Sequence, residues 1–202
     1  MLITQIDGNR YIRKNYDKKG NLKQYQSIDA GNLKTSAEIM EVKMTVTSYD
    51  KNNNLKGASQ TVIRCDPEAG EVLMGIFPFA GGASNKSLKI ELPKNNKLYP
   101  AGWRDKTTIE DFSFDLKFEG GAAGFFGTES QVSLTDRKVS KVSDNLYRIS
   151  GSMTLKAYVF GVKISTTRYN YFEEIKSGTG IVRQKFTESN GNYFTIELNS
   201  KN

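Results

Sequence analysis

Catalysis needs groups that move protons, attack substrates or hold metals, and this chain of 202 residues offers few of them. It contains no His, so it lacks the commonest general base and the commonest metal ligand. Its one cysteine, Cys65, forms no intramolecular disulfide and no cysteine-based zinc site. With no His beside it, Cys65 reads as a small buried hydrophobe at a strand end. Glu173 and Glu174 are adjacent, after Tyr171 and Phe172. Neighbours on a strand point to opposite faces, so the two carboxylates cannot act together on one substrate. Asp66, Glu68 and Glu71 cluster near the hairpin DPEAG (66–70), but the D-x-D-x-D-G pattern of a calcium loop is missing; the cluster reads as a solvated turn. SGTGIV (177–182) holds a G-x-G without the third Gly and the opening helix of a dinucleotide site, and reads as a turn into a strand. No Ser stands in G-x-S-x-G, and a Ser nucleophile would have no His. A carboxylate-dependent hydrolase, the remote alternative, would need two inward carboxylates about 5–10 Å apart in a cleft. The expectation is a protein that is not an enzyme and uses no cofactor and no metal.

Binding is the better prospect. GGAAGFFG (120–127) ends in Phe125 and Phe126, and AGGAS (80–84) follows the apolar run Met74–Phe79. Gly lets such loops hinge, and two apolar loops on one scaffold could frame the mouth of a cavity. Neither has the Gly spacing and Lys-Ser or Lys-Thr of a phosphate cradle. The candidate ligand-binding residues are Phe77, Phe79, Trp103, Phe125 and Phe126. Trp103, after LYPAG (98–102), has a second reading as a core plug.

The elements that must position these residues are strands. Met40, Val42, Met44 and Val46 alternate with Glu41, Lys43 and Thr45; Phe112, Phe114, Leu116 and Phe118 alternate with Ser113, Asp115 and Lys117; Leu88, Ile90 and Leu92 alternate with Lys89 and Glu91. Period-2 alternation marks half-buried strands. Turn signals fall between them at 17–20, 50–54, 66–70, 143–145, 177–180 and 189–192. The windows open to a short helix are 29–36 and 94–109. One line is written nearly twice: NYDKKGNLKQYQ (15–26) and SYDKNNNLKGAS (48–59), with a looser echo in FTESNGNYF (186–194). Each fits a type I turn closed by a bulge, with Gly or Asn where the backbone turns left-handed. Independent use of a good hairpin and duplication of a hairpin unit both explain the echo, and neither implies a site. The predicted fold is all-β: a single antiparallel meander over 1–202 with few or no helices.

The net charge of +7 is interleaved with acids along the chain. No block of five or six like charges appears, so a solvated Lys-rich surface is expected and no nucleic-acid partner. No run of 18 apolar residues spans a membrane. MLITQIDG lacks the charged and apolar regions of a signal peptide. The alternatives are a cytoplasmic protein starting at Met1 and an exported one whose signal has been removed.

Four segments in order resemble the TapB-like family, a domain of unknown function common among exported proteins of Bacteroidetes: NYDKKGNLKQYQ (15–26), TVIRCDPEAGEVLM (61–74), LKIELPKNNKLYPAG (88–102) and YNYFEEIKSGTGIVRQKF (169–186). Tyr171-Phe172 stands where that family usually has Trp-Tyr, and GGAAGFFG replaces a Met-rich stretch. The resemblance implies a periplasmic or otherwise exported protein whose antiparallel sheet forms a curved half-barrel or open barrel, and brings no catalytic residues. Two functions are expected. In the first, the concave face binds a lipid or other hydrophobic small molecule. In the second, the chain is a structural module docking another envelope protein by an exposed edge strand.

Overall fold

The computed structural model describes residues 8–36, 39–65, 86–91, 99, 102–119 and 128–199. Twelve strands form one sheet: β1 (Arg10–Tyr16), β2 (Leu22–Thr35), β3 (Met40–Asp50), β4 (Leu55–Cys65), β5 (Lys86–Glu91), β6 (Thr108–Ile109), β7 (Phe112–Glu119), β8 (Thr128–Ser143), β9 (Leu146–Val159), β10 (Val162–Lys176), β11 (Gly180–Glu188) and β12 (Tyr193–Leu198). Neighbours run β6-β8-β7-β5-β4-β3-β2-β1-β12-β11-β10-β9, and β9 also pairs along β8. The fold is all-β, as the alternation predicts, and the sheet is curved, as the resemblance implies. Every pairing is antiparallel except β4 with β5. The window 29–36 is the end of β2 and not a helix; a bulge between Ala30 and Leu33 breaks its period and hides it. Residues 102–109 carry a turn and β6, with no helix.

Alternation decides what faces inward. Val42, Met44 and Val46 of β3 are buried, as are Phe112, Phe114 and Leu116 of β7. They join Tyr11, Ile28, Val132, Ile149, Met153, Phe186 and Ile196 in one core. Aromatic rings lace it together: Phe186 stacks on Phe194 at 4.9 Å and on Tyr171 at 5.8 Å, geometry that adds to plain burial.

The strand directions give the curled sheet two ends. At one lie the turns 17–21, 50–54, 160–161 and 188–192; at the other lie the end of β2, the start of β3 and the turns 143–146 and 177–179, together with both chain ends of the described fold. The three echoing hairpins share one construction at the first end. Gly20 N–H donates to the Asp17 carbonyl, Asn53 N–H to that of Asp50, and Gly191 N–H to that of Glu188. The left-handed position is taken by Gly20 (φ 82°), Asn53 (φ 68°) and Gly191 (φ 88°). Bulges follow at Asn15/Tyr16 and Ser48/Tyr49.

Candidate functional site

Among the described residues the inward face is occupied by the protein's own side chains. Trp103 is one of them: it packs against the core, 5.6 Å from the Tyr147 ring and 6.3 Å from Tyr99. Phe77, Phe79, Phe125 and Phe126 lie outside the described residues, as do AGGAS, GGAAGFFG and the cluster Asp66, Glu68 and Glu71. The side chain of Cys65 also lies outside them, although its backbone closes β4.

The paired carboxylates part as the strand geometry requires. Glu173 faces the core, accepting hydrogen bonds from the Tyr99 hydroxyl (3.0 Å) and Gln184 Nε2 (2.7 Å). Burial pushes its carboxyl above the ordinary glutamate value, partly offset by those two donors and by the charge of Arg137. The Tyr99 hydroxyl is pushed up by burial and then by Glu173. Glu174 binds Arg148, whose guanidinium lies 4.7 Å from the Phe172 ring. Arg137, 1% exposed, donates from Nη1 to the Glu110 carbonyl at 3.0 Å and ties down the segment leading into β7. Tyr99, Arg137, Glu173 and Glu174 are all buried. Among the described residues no group of three or more His, Cys, Asp or Glu could hold a metal ion.

At the first end the lining turns polar. A cleft of about 340 Å³ lies between Arg13, Asn15, Gln24, Tyr169, Glu188 and Phe194, among others. Arg13 lies 4.1 Å over the Phe194 ring and donates from Nε to Asn15 Oδ1 at 3.1 Å. Burial lowers the Arg13 guanidinium to about 10. This end is furnished for polar company, unlike the apolar cavity expected for a lipid.

The most exposed apolar group lies beside it. β11 pairs with β10 only from Tyr169 onward, so among the described residues Val162–Arg168 pairs on the β9 side alone. That stretch, with β9, forms a flange reaching about 20 Å past the end of β11. Its turn is two residues long, and both are left-handed: Phe160 (φ 51°) and Gly161 (φ 74°). This is the backbone of a type I′ hairpin, where Asn-Gly is preferred; a bulky aromatic at the first position is strained. Phe160 is 69% exposed, Val162 65% and Ile164 63%. Ile164 is the extra residue of a bulge between Lys163 and Ser165. The sequence reading passed over these residues. Two signals were there: Phe-Gly between two apolar runs, and the absence of any Asp or Glu from residue 145 to 172.

The curled antiparallel sheet and the match of its sequence define the class. Residues 6–196 match the DUF3108-like family model, and the chain belongs to that family; the match lends no support to the TapB-like name. No curated protein matches. Two crystal structures share the fold. One is a candidate lipoprotein of Parabacteroides distasonis, 16% identical, with a TM-score of 0.51 over 96% of this chain and 94% of that one. The other is a candidate exported protein with YmcC-like fold from Bacteroides fragilis, 18% identical, with a TM-score of 0.51 over 95% and 94% of the two chains.

Proposed function

We propose that this chain is an exported, non-enzymatic protein of the bacterial envelope that works by docking, with the β9–β10 flange as its contact. One observation carries the reading: Phe160, Val162 and Ile164, more than 60% exposed, crowd one hairpin tip beside a strand edge that among the described residues has no neighbour. Scattered exposed apolar residues need no explanation, whereas a cluster on a bare edge marks an interaction site. Export is supported by what the two structural neighbours are named, a candidate lipoprotein and a candidate exported protein. The non-enzymatic reading is supported by the absence of His and by the divergent faces of Glu173 and Glu174. Binding of a hydrophobic small molecule through Phe77, Phe79, Trp103, Phe125 and Phe126 is the weaker reading, because Trp103 is engaged in the core.

The test is a photo-crosslinking amino acid placed at Ile164 and, as a control, at exposed Ser150, in living cells. Adducts to envelope components, protein or lipid, at 164 and not at 150 are the expected result. Equal yields at both positions, or none at either, would sink the docking reading.

A further inference from the structure

We infer that the partner of the flange is an anionic lipid surface, an inference that rests on the docking reading above. Three features favour a bilayer over a folded partner. The first is shape. The apolar residues stand at and just after a two-residue hairpin turn, each more than 60% exposed, and an exposed turn enters a soft interface without needing a matched pocket. Amphipathic elements of this kind bury their apolar side at the headgroup–acyl boundary.

The second is charge. From residue 145 to 172 the chain has Arg148, Lys156, Lys163 and Arg168 and no acid. Arg148 is spent on Glu174, toward the second end of the sheet and away from the flange. Of the other three cations, Lys163 stands near the tip, Lys156 farther back and Arg168 at the base of the flange. Tyr158 pairs with Lys163, Lys156 with Thr166, and Thr154 with Arg168, which puts Lys156, Lys163 and Arg168 on one face of the hairpin. Across Tyr158 on β8 lies one acid, Glu129, so a positive excess remains. Cations just behind an apolar tip are where anionic headgroups would sit. The same charge disfavours a second copy of this chain: Val162–Arg168 contains Lys163 and Arg168 and no acid, so edge-to-edge pairing of two flanges would bring like charges together.

The third is strain. A left-handed Phe at a turn that Asn would fill comfortably is a cost kept at a tip. Phe at that position keeps a bulky apolar residue, 69% exposed, at the turn itself.

The experiment is co-sedimentation of the purified chain with phosphatidylcholine vesicles that contain or lack phosphatidylglycerol. Binding to the phosphatidylglycerol vesicles only, weakened by added salt, is expected. Lys163→Gln should weaken it about fivefold, at about 1 kcal/mol for each cation near the surface. Val162→Ser and Ile164→Ser should each weaken it on the order of tenfold, from lost apolar burial. Unchanged thermal melting of each variant separates lost binding from lost fold. Wild-type protein that stays in the supernatant, or variants that sediment as well as wild type, would overturn the inference. Binding lost on Lys163→Gln but kept on Ile164→Ser would also overturn it, since any anionic polymer would then suffice. Protein adducts at Ile164 in cells without vesicle binding would leave the docking reading standing and remove only the lipid.

Discussion

At the scale of single residues, backbone conformation and close approach set the costs. Phe160 holds φ 51° next to Gly161. Phe160→Asn should raise stability by about 1 kcal/mol, because Asn tolerates the left-handed region; a urea unfolding midpoint that falls would show that the ring's own contacts outweigh the strain. Gly151 of β9 illustrates the opposite constraint. A Cβ there would stand 2.7 Å from the Thr135 carbonyl oxygen, 3.2 Å from the Tyr171 ring and 3.3 Å from the Arg137 side chain. Backbone cannot retreat as a side chain can, so Gly151→Ala should cost about 2–3 kcal/mol, at the upper end for overpacking, read from the same midpoint. The close approach at Gly151 was not legible beforehand. Arg137 sits on a β8 bulge between Thr135 and Lys138, and a sequence pattern does not announce where a ladder slips.

At the scale of elements, the hairpins were the most legible feature, because their chemistry is local. In both Asp hairpins the carboxylate gathers the turn's own amides: Asp17 accepts from Lys19 N–H (3.0 Å) and Asn21 N–H (2.9 Å), and Asp50 from Asn52 N–H (2.8 Å) and Asn54 N–H (3.0 Å). The third hairpin puts Glu188 at the Asp position, and Asn190 caps the turn instead, accepting from Asn192 N–H at 2.8 Å. Gly191→Ala should cost about 1–2 kcal/mol for its left-handed backbone, with added crowding of Lys18 Cβ at 3.1 Å. Asn53→Gly should change stability by only a few tenths of a kcal/mol, since Asn visits this region at little cost. Paired melting curves of the two variants check the contrast. The strands were legible wherever the inward face is apolar, as in β3 and β7. They were less so where the lining turns polar: Arg13 and Gln26 face the interior from β1 and β2, and alternation counts such residues as outward. The flange escaped notice because exposure is a property of neighbours. Nothing in VFGVKI says that β11 ends before reaching it.

At the scale of the whole molecule, buried and exposed carboxylates pull stability in opposite directions with pH. The Asn54 side chain and then the turn's backbone amides hold Asp50 down to about 2, and the Asn21 side chain and its turn's amides hold Asp17 lower still. Both contribute stability above the ordinary aspartate value of 3.8, and it is lost as pH falls through their folded values. Glu173 is raised by burial, so the folded state keeps its proton longer than the unfolded chain does. Its contribution is most favourable below the ordinary value of 4.5 and declines as pH rises toward its folded value. Asp50→Asn should therefore reduce the acid-side loss, and Glu173→Gln should flatten the decline above pH 4.5. Urea midpoints measured across pH for the two variants and wild type separate the slopes; a decline that persists in Glu173→Gln would assign it to another group.

The first and last strands of the described fold are neighbours: Tyr11 pairs with Leu198 and Tyr16 with Tyr193, and Asn199 N–H donates to the Arg10 carbonyl. In mechanical terms this is a zipper with both pull-tabs on one side. A load applied between the two ends of the chain bears on one rung of the β1–β12 ladder at a time, because antiparallel rungs lie across the strands. The seam should peel open at modest force in an optical trap. A load applied between one chain end and the flange at the opposite end would run along the strands and shear many rungs at once, so the same sheet that opens readily from its ends would resist a pull along its length.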